Sequence, residues 1–175
     1  LEAGASGKGY SIVVINSTKD DEKDVNLLLE KRVDGIIHCG PKIGNSALPK
    51  LNSRRFPVVV VGRTIPGSEI DSVVADDFNG AREATKHLIH LGHARIGFIM
   101  GYEDSTASQA RLAGFKSALL ESNIDIDLNL IAEGCLTYKG GAEAAKHLLG
   151  IANRPSAIVA GNDLMLLGAW DAAVH

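Results

Sequence analysis

The stretch VVADDFNGAREATKHLIHLGHARIGFIMG, residues 73–101, decides the fold. It reads as a strand end, an acidic turn, an amphipathic helix, a glycine stop and a new buried strand. Ala81, Ala84, Leu88 and Leu91 recur at helical spacing and predict one apolar stripe. Asp76 and Asp77 precede that helix, where carboxylates accept from free N–H groups and oppose the helix dipole. Gly92 suits the left-handed residue that ends a helix. Residues 95–100 are almost wholly apolar, as in a strand covered on both faces.

The same alternation extends outward to both ends. Strands are predicted at 11–16, 35–39, 58–62, 72–75, 95–100, 130–132 and 157–160. Helices are predicted at 21–31, 46–53, 78–91, 106–122, 139–149 and 163–174. Thr106 with Gln109 matches a T-x-x-Q capping box. Alternating strands and helices, with β-branched strands, predict parallel sheets flanked by helices. The pattern divides near residue 76, between short helices before it and longer ones after it. Two lobes are therefore expected, 1–75 and 76–175.

Composition narrows the function. The chain has 175 residues, 45% hydrophobic and 22% charged, which fits a globular domain or two small lobes. A formal net charge of −3 argues against a nucleic-acid-binding surface on these residues. No apolar run reaches the roughly 20 residues that span a bilayer. Cys39 and Cys135 stand far apart without a C-x-x-C partner, so free thiols in a reducing, cytoplasmic setting are expected.

The sequence also resembles the lactose/galactose repressor (LacI/GalR) family. The resemblance is carried by DDFNGAREATKHLIHLGHARIGFIMG, by GYSIVVINSTKDDEK, VDGIIHCG and PVVVVGR, and by IVAGNDLMLLGAWDAA. Together they cover essentially the whole chain. The resemblance implies the two-lobed, type I periplasmic-binding-protein-like α/β fold, each lobe a doubly wound parallel sheet, truncated here at both ends. It implies an effector-binding domain of a transcriptional regulator, with a small molecule held between the lobes. Operator DNA would be bound by an N-terminal headpiece absent from this stretch, in a homodimer. It also implies an incomplete folding unit, because the family's first strand lies in the middle of the N-terminal sheet. The alternative is an extracytoplasmic sugar-binding protein of a transport system, which shares the fold.

Ligands of doubly wound sheets bind outside the carboxyl ends of strands. Asp163 follows the strand at 157–160 and opens an apolar helix. From the residues alone it is equally a plain N-cap; the resemblance makes it an effector contact. Arg111 lies one turn into the helix from Thr106, with no acid at 107 or 115 to pair with it. The family motif R-x-x-G-F, here RLAGF, makes it the effector-binding arginine. A guanidinium grips neighbouring hydroxyls or a carboxylate. Arg63 ends the strand at 58–62, and Gly62 stands where the family often has an acid. Leu136 falls where several members carry a stacking aromatic, so their effector class does not transfer. Ser105 and Asp104 are further polar candidates. Asp76 and Asp77 are read as hinge and helix cap. The effector class expected is a sugar or nucleoside-like molecule.

Other chemistries find little support. His87, His90 and His93 lack a fixed fourth ligand, so no metal site is expected. Adjacent Asp76 and Asp77 do not suit paired catalytic carboxylates. Gly4, Gly7 and Gly9 precede the first strand, the wrong order for a dinucleotide fingerprint. There is no nucleophile elbow and no phosphate-loop lysine. The chain reads as neither an enzyme nor a cofactor protein.

Overall fold

The computed structural model describes residues 2–15, 21–39, 48, 51, 55–62, 64–65 and 67–175. The chain separates into two compact units. One comprises residues 1–60 and 65–71, the other 61–64 and 72–175.

In the first unit, α1 (Glu2–Ser6) is a single exposed turn and α2 spans Asp21–Glu30. Strand β1 is Ile36–Cys39, β2 is Val58–Val61 and β3 is Asp71–Val73, in the sheet order β1-β2-β3; Val61, Ser72 and Val73 at the strand ends belong to the second unit. Val25, Ile36, Leu48, Leu51, Val58 and Val60 form the core. The strand expected at 11–16 is not formed over residues 11–15, and residue 16 lies outside the described residues. Ile12, Val13 and Val14 are exposed there. A β-branched run stays a strand only when a neighbour takes its backbone groups. The helix expected at 46–53 falls mostly outside the described residues.

The second unit holds the quoted stretch. Helix α3 is Asp77–His90, β4 is Ile96–Met100, α4 is Thr106–Glu121 and β5 is Ile131–Glu133. Helix α5 is Tyr138–Gly150, β6 is Ala157–Ala160 and α6 is Asp163–Val174. The sheet order is β5-β4-β6, with both pairings parallel; Phe98 aligns with Ile131 and with Val159. All five residues of β4 are buried. Period-two alternation divides them between two faces. Ile96, Phe98 and Met100 pack with Phe115 and Leu119 of α4 and Leu88 and Ile89 of α3. Phe98 and Phe115 stack with centroids 4.9 Å apart. Ile99 packs oppositely, with Ala144, Ala145 and Leu148 of α5 and Met165 and Ala169 of α6.

Gly92 ends α3 with φ +91°, as expected. The stripe on α3 differs. Its buried residue is Thr85, while Ala84 and Leu91 are exposed. The Thr85 hydroxyl donates to the Ala81 carbonyl at 2.7 Å, which satisfies it and allows burial. The inward face is Thr85, Leu88 and Ile89.

Candidate effector site at the carboxyl edge of the second sheet

Three strand-to-helix turns crowd the carboxyl edge of β5-β4-β6. Gly101 to Ser105 follows β4, Gly134 to Thr137 follows β5, and Gly161 and Asn162 follow β6. Each helix opens on a polar cap. Ser105 Oγ accepts from the Ser108 N–H, Thr137 Oγ1 from the Gly140 N–H, and Asn162 Oδ1 from the Met165 N–H. These caps satisfy N–H groups that the helices cannot use internally. The capping box expected at Thr106 and Gln109 is displaced by one residue. Ser105 is the cap, and Gln109 instead donates its side-chain amide to the Glu103 carbonyl at 2.8 Å.

The turns are tied to one another. The Gly134 N–H donates to the Met100 carbonyl at 2.9 Å and the Gly161 N–H to the Ile99 carbonyl at 2.8 Å. Asn162 Nδ2 donates to the Leu136 carbonyl at 3.4 Å. Cys135 and Leu136 are successive left-handed residues, φ +51° and +57°. Such conformations are uncommon for side chains of this size and cluster where a binding edge is shaped.

Arg111 closes the arrangement. Its Nε donates to Asp77 Oδ1 at 2.8 Å, and Nη2 lies 2.8 Å from the same oxygen. Nη1 donates to the Gly161 carbonyl. One side chain on α4 thus joins the start of α3 to the turn after β6. The Arg111 side chain is 30% exposed and that of Asp77 11%. The pair is half-sunk, with N–H groups on both terminal nitrogens left for a ligand.

The remaining predicted residues fall out unequally. Asp163 is exposed, and its Oδ1 accepts from the Leu164 N–H at 3.0 Å. It is the first residue of α6 rather than its cap; Asn162 holds that place because its backbone is still extended, φ −154°. Ser105 is buried at the β4 end, and Asp104 is exposed beside it. Leu136 packs into the core beside Ile99, against Gly101, where an added Cβ would lie 2.5 Å from Leu136 Cδ2. Arg63 lies outside the described residues.

Asp76, not Asp77, caps α3. It accepts from the Asn79 side-chain amide at 2.8 Å and the Asn79 N–H at 3.2 Å, and these bonds hold its carboxyl below the usual range. Asp77 was expected to share the capping, but its carboxylate faces Arg111. A partner 34 residues away lies outside the i±4 search that sequence permits. Asn162 was also missed, though it stands in the quoted N-D pair. Burial, then the charges of Glu133 and Glu143, raise the Cys135 thiol, so it is not an activated nucleophile. Among the described residues no cluster of His, Cys, Asp and Glu could hold a metal, and no helix is long and apolar enough to cross a membrane. His93 Nδ1 instead lies 3.0 Å from Ser156 Oγ.

A parallel sheet flanked by helices, with polar turns gathered at one strand end, defines a ligand-binding α/β domain. All 175 residues match the model of periplasmic binding proteins and the sugar-binding domain of the LacI family, and the chain belongs to that family. It is 34% identical to the HTH-type transcriptional regulator DegA of Bacillus subtilis, over 99% of this chain and 53% of that protein. It is 32% identical to the HTH-type transcriptional repressor PurR of Klebsiella pneumoniae, over 99% of this chain and 52% of that protein. The chain thus spans about half the length of these curated relatives. Among solved structures it resembles the transcriptional regulator CelR in complex with cellobiose, TM-score 0.89, 30% identity, covering 99% of this chain and 54% of that one. It also resembles the transcription regulator CcpA of Lactococcus lactis, TM-score 0.85, 35% identity, covering 97% and 63%. The fold is periplasmic-binding-protein-like, as the resemblance implies.

Proposed function

We propose that this chain is the effector-sensing part of a LacI-family transcriptional regulator that works in the cytoplasm as a homodimer. Its effector is a small hydroxylated molecule, a sugar or nucleoside-like compound, held at the carboxyl edge of β5-β4-β6. The observation that carries the proposal is Arg111, fixed by Asp77 and the Gly161 carbonyl with donors left over at the strand ends. Asp104 and Asp163 are exposed around it, Ser105 and Leu136 pack beneath the same edge, and Arg63 is a further proposed ligand contact. The hinge lies just before α3, with Asp76 and Asp77 next to it on the side of the second unit. Ligand that prefers one lobe arrangement shifts the population of the DNA-bound state, through a headpiece outside these residues. The curated relatives are named as HTH-type regulators, which favours regulation over solute transport.

The test is calorimetric titration of the full-length protein with a panel of neutral sugars and nucleosides, beside gel shifts on its own promoter region. A ligand that binds and changes DNA affinity is expected. A transport role would instead show as tight sugar binding without any DNA binding by the full-length protein.

A further inference from the structure

We propose that Asp77 sets effector specificity: by neutralising Arg111 it restricts this site to uncharged, hydroxyl-bearing ligands and excludes carboxylates and phosphates. The inference rests on the effector site proposed above and adds the charge of what it accepts.

Anion recognition by arginine uses a two-nitrogen edge of the guanidinium, gripping two oxygens in parallel. In this chain the Nε–Nη2 edge is occupied by Asp77 Oδ1, at 2.8 Å from each nitrogen. The third nitrogen, Nη1, already donates to the Gly161 carbonyl. An incoming anion therefore finds only single N–H groups. It also meets the Asp77 carboxylate, whose 11% exposure leaves little water to screen the repulsion. A neutral hydroxyl avoids that repulsion and can still accept one N–H from a terminal nitrogen.

The rest of the edge points the same way. The three turns, the strand residues before them and the first helical residues after them carry Glu103, Asp104, Glu133 and Asp163, and no Lys, Arg or His. Arg111 is thus the single cation among the described residues named at this edge, and it is paired. Sequence alone presents Arg111 as equally suited to hydroxyls or to a carboxylate; its partner decides between them.

The experiment measures inorganic phosphate binding, at fixed ionic strength, to the full-length protein and its Asp77→Asn and Asp77→Ser variants. The wild-type protein is expected to bind phosphate only weakly and no better than its Arg111→Gln variant. Asp77→Ser empties the guanidinium edge and Asp77→Asn removes its negative charge, and each is expected to bind phosphate at least about tenfold more tightly than the wild-type protein, the worth of one charge-assisted hydrogen bond. Arg111→Gln added to Asp77→Asn is expected to abolish the gain, which separates Arg111 from the nearby helix N-termini. Saturable phosphate binding by the wild-type protein that Arg111→Gln removes overturns the proposal. So does a folded Asp77→Asn or Asp77→Ser variant with no gain. Failure of every neutral sugar and nucleoside to bind the wild-type protein, with the phosphate gain intact, would sink the effector assignment but leave the masking of Arg111 standing.

Discussion

Gly114 of α4 lies directly against the carbonyl of Phe78 in α3: a Cβ at residue 114 would overlap that oxygen and crowd the Arg82 backbone N at 3.1 Å. Two helices meet backbone to backbone here. The contact holds α3, and with it Asp77, at the height from which Arg111 is reached.

Gly114→Ala is therefore expected to destabilise the protein by about 1–3 kcal/mol, the usual cost of overpacking a rigid contact. Gly80→Ala is the control. It is an exposed position in α3 where an added Cβ meets nothing within 4 Å. There a gain of about 0.4–1 kcal/mol is expected from the stiffer unfolded chain. Urea denaturation of both variants tests the contrast; equal midpoints would remove the special status of Gly114.

Arg111→Ala is expected to weaken effector binding roughly 10- to 150-fold, the worth of hydrogen bonds to a charged group at about 1.5–3 kcal/mol. It should also lower stability, because Asp77 is left little exposed and without its partner. Asp163→Asn should leave stability nearly unchanged, since that carboxylate is exposed and bonds only the Leu164 N–H among the described contacts. Titration calorimetry beside thermal melts separates the two effects. Full affinity in Arg111→Ala would return this residue to a scaffold role.

Asn162→Ala is expected to cost about 0.5–2 kcal/mol, because it removes the cap of α6. The Leu136 carbonyl loses a donor in the same change. Asn162→Asp keeps the acceptor for the Met165 N–H but not the amide, so it should recover most of the loss. A denaturation midpoint for Asn162→Asp no better than that for Asn162→Ala would mean that the cap is unimportant.

Glu121 supplies a pH dependence. It faces Arg82, Lys86 and Ser117, joining α4 back to α3. Hydrogen bonds from Arg82, then Lys86, then Ser117 hold its carboxyl far below its ordinary value of 4.5. The unfolded chain takes up the proton first as pH falls. The stabilisation is therefore fully present above about pH 4.5 and is lost progressively below it. The pair is exposed, so salt should reduce the effect. Wild-type protein and Glu121→Gln, compared by urea midpoint from pH 7 down to pH 3, should differ at neutral pH, and the gap should narrow as pH falls below about 4.5. A constant gap across that range would exclude Glu121 as the titrating group.

Sequence by itself determined the elements of the second unit. Strand β6 and helix α6 fall where they were expected, and α3, α4, α5 and β4 fall within one residue at each end. Local signals suffice there: apolar strands, capping residues and the Gly92 stop act over four residues or fewer. The family was legible for the same reason, because its motifs are linear. The tertiary structure alone decided the site. Thr85 is buried where Ala84 is exposed, and its hydroxyl is satisfied there by the Ala81 carbonyl. Residues 11–15 fail to form a strand despite their β-branched composition, since pairing needs a neighbour that composition does not supply. Above all, Arg111 carries the motif in sequence, but its charge is answered by Asp77, 34 residues away, and by a carbonyl 50 residues on. A one-dimensional pattern records which donors exist; only packing fixes which of them are already spent on the protein itself.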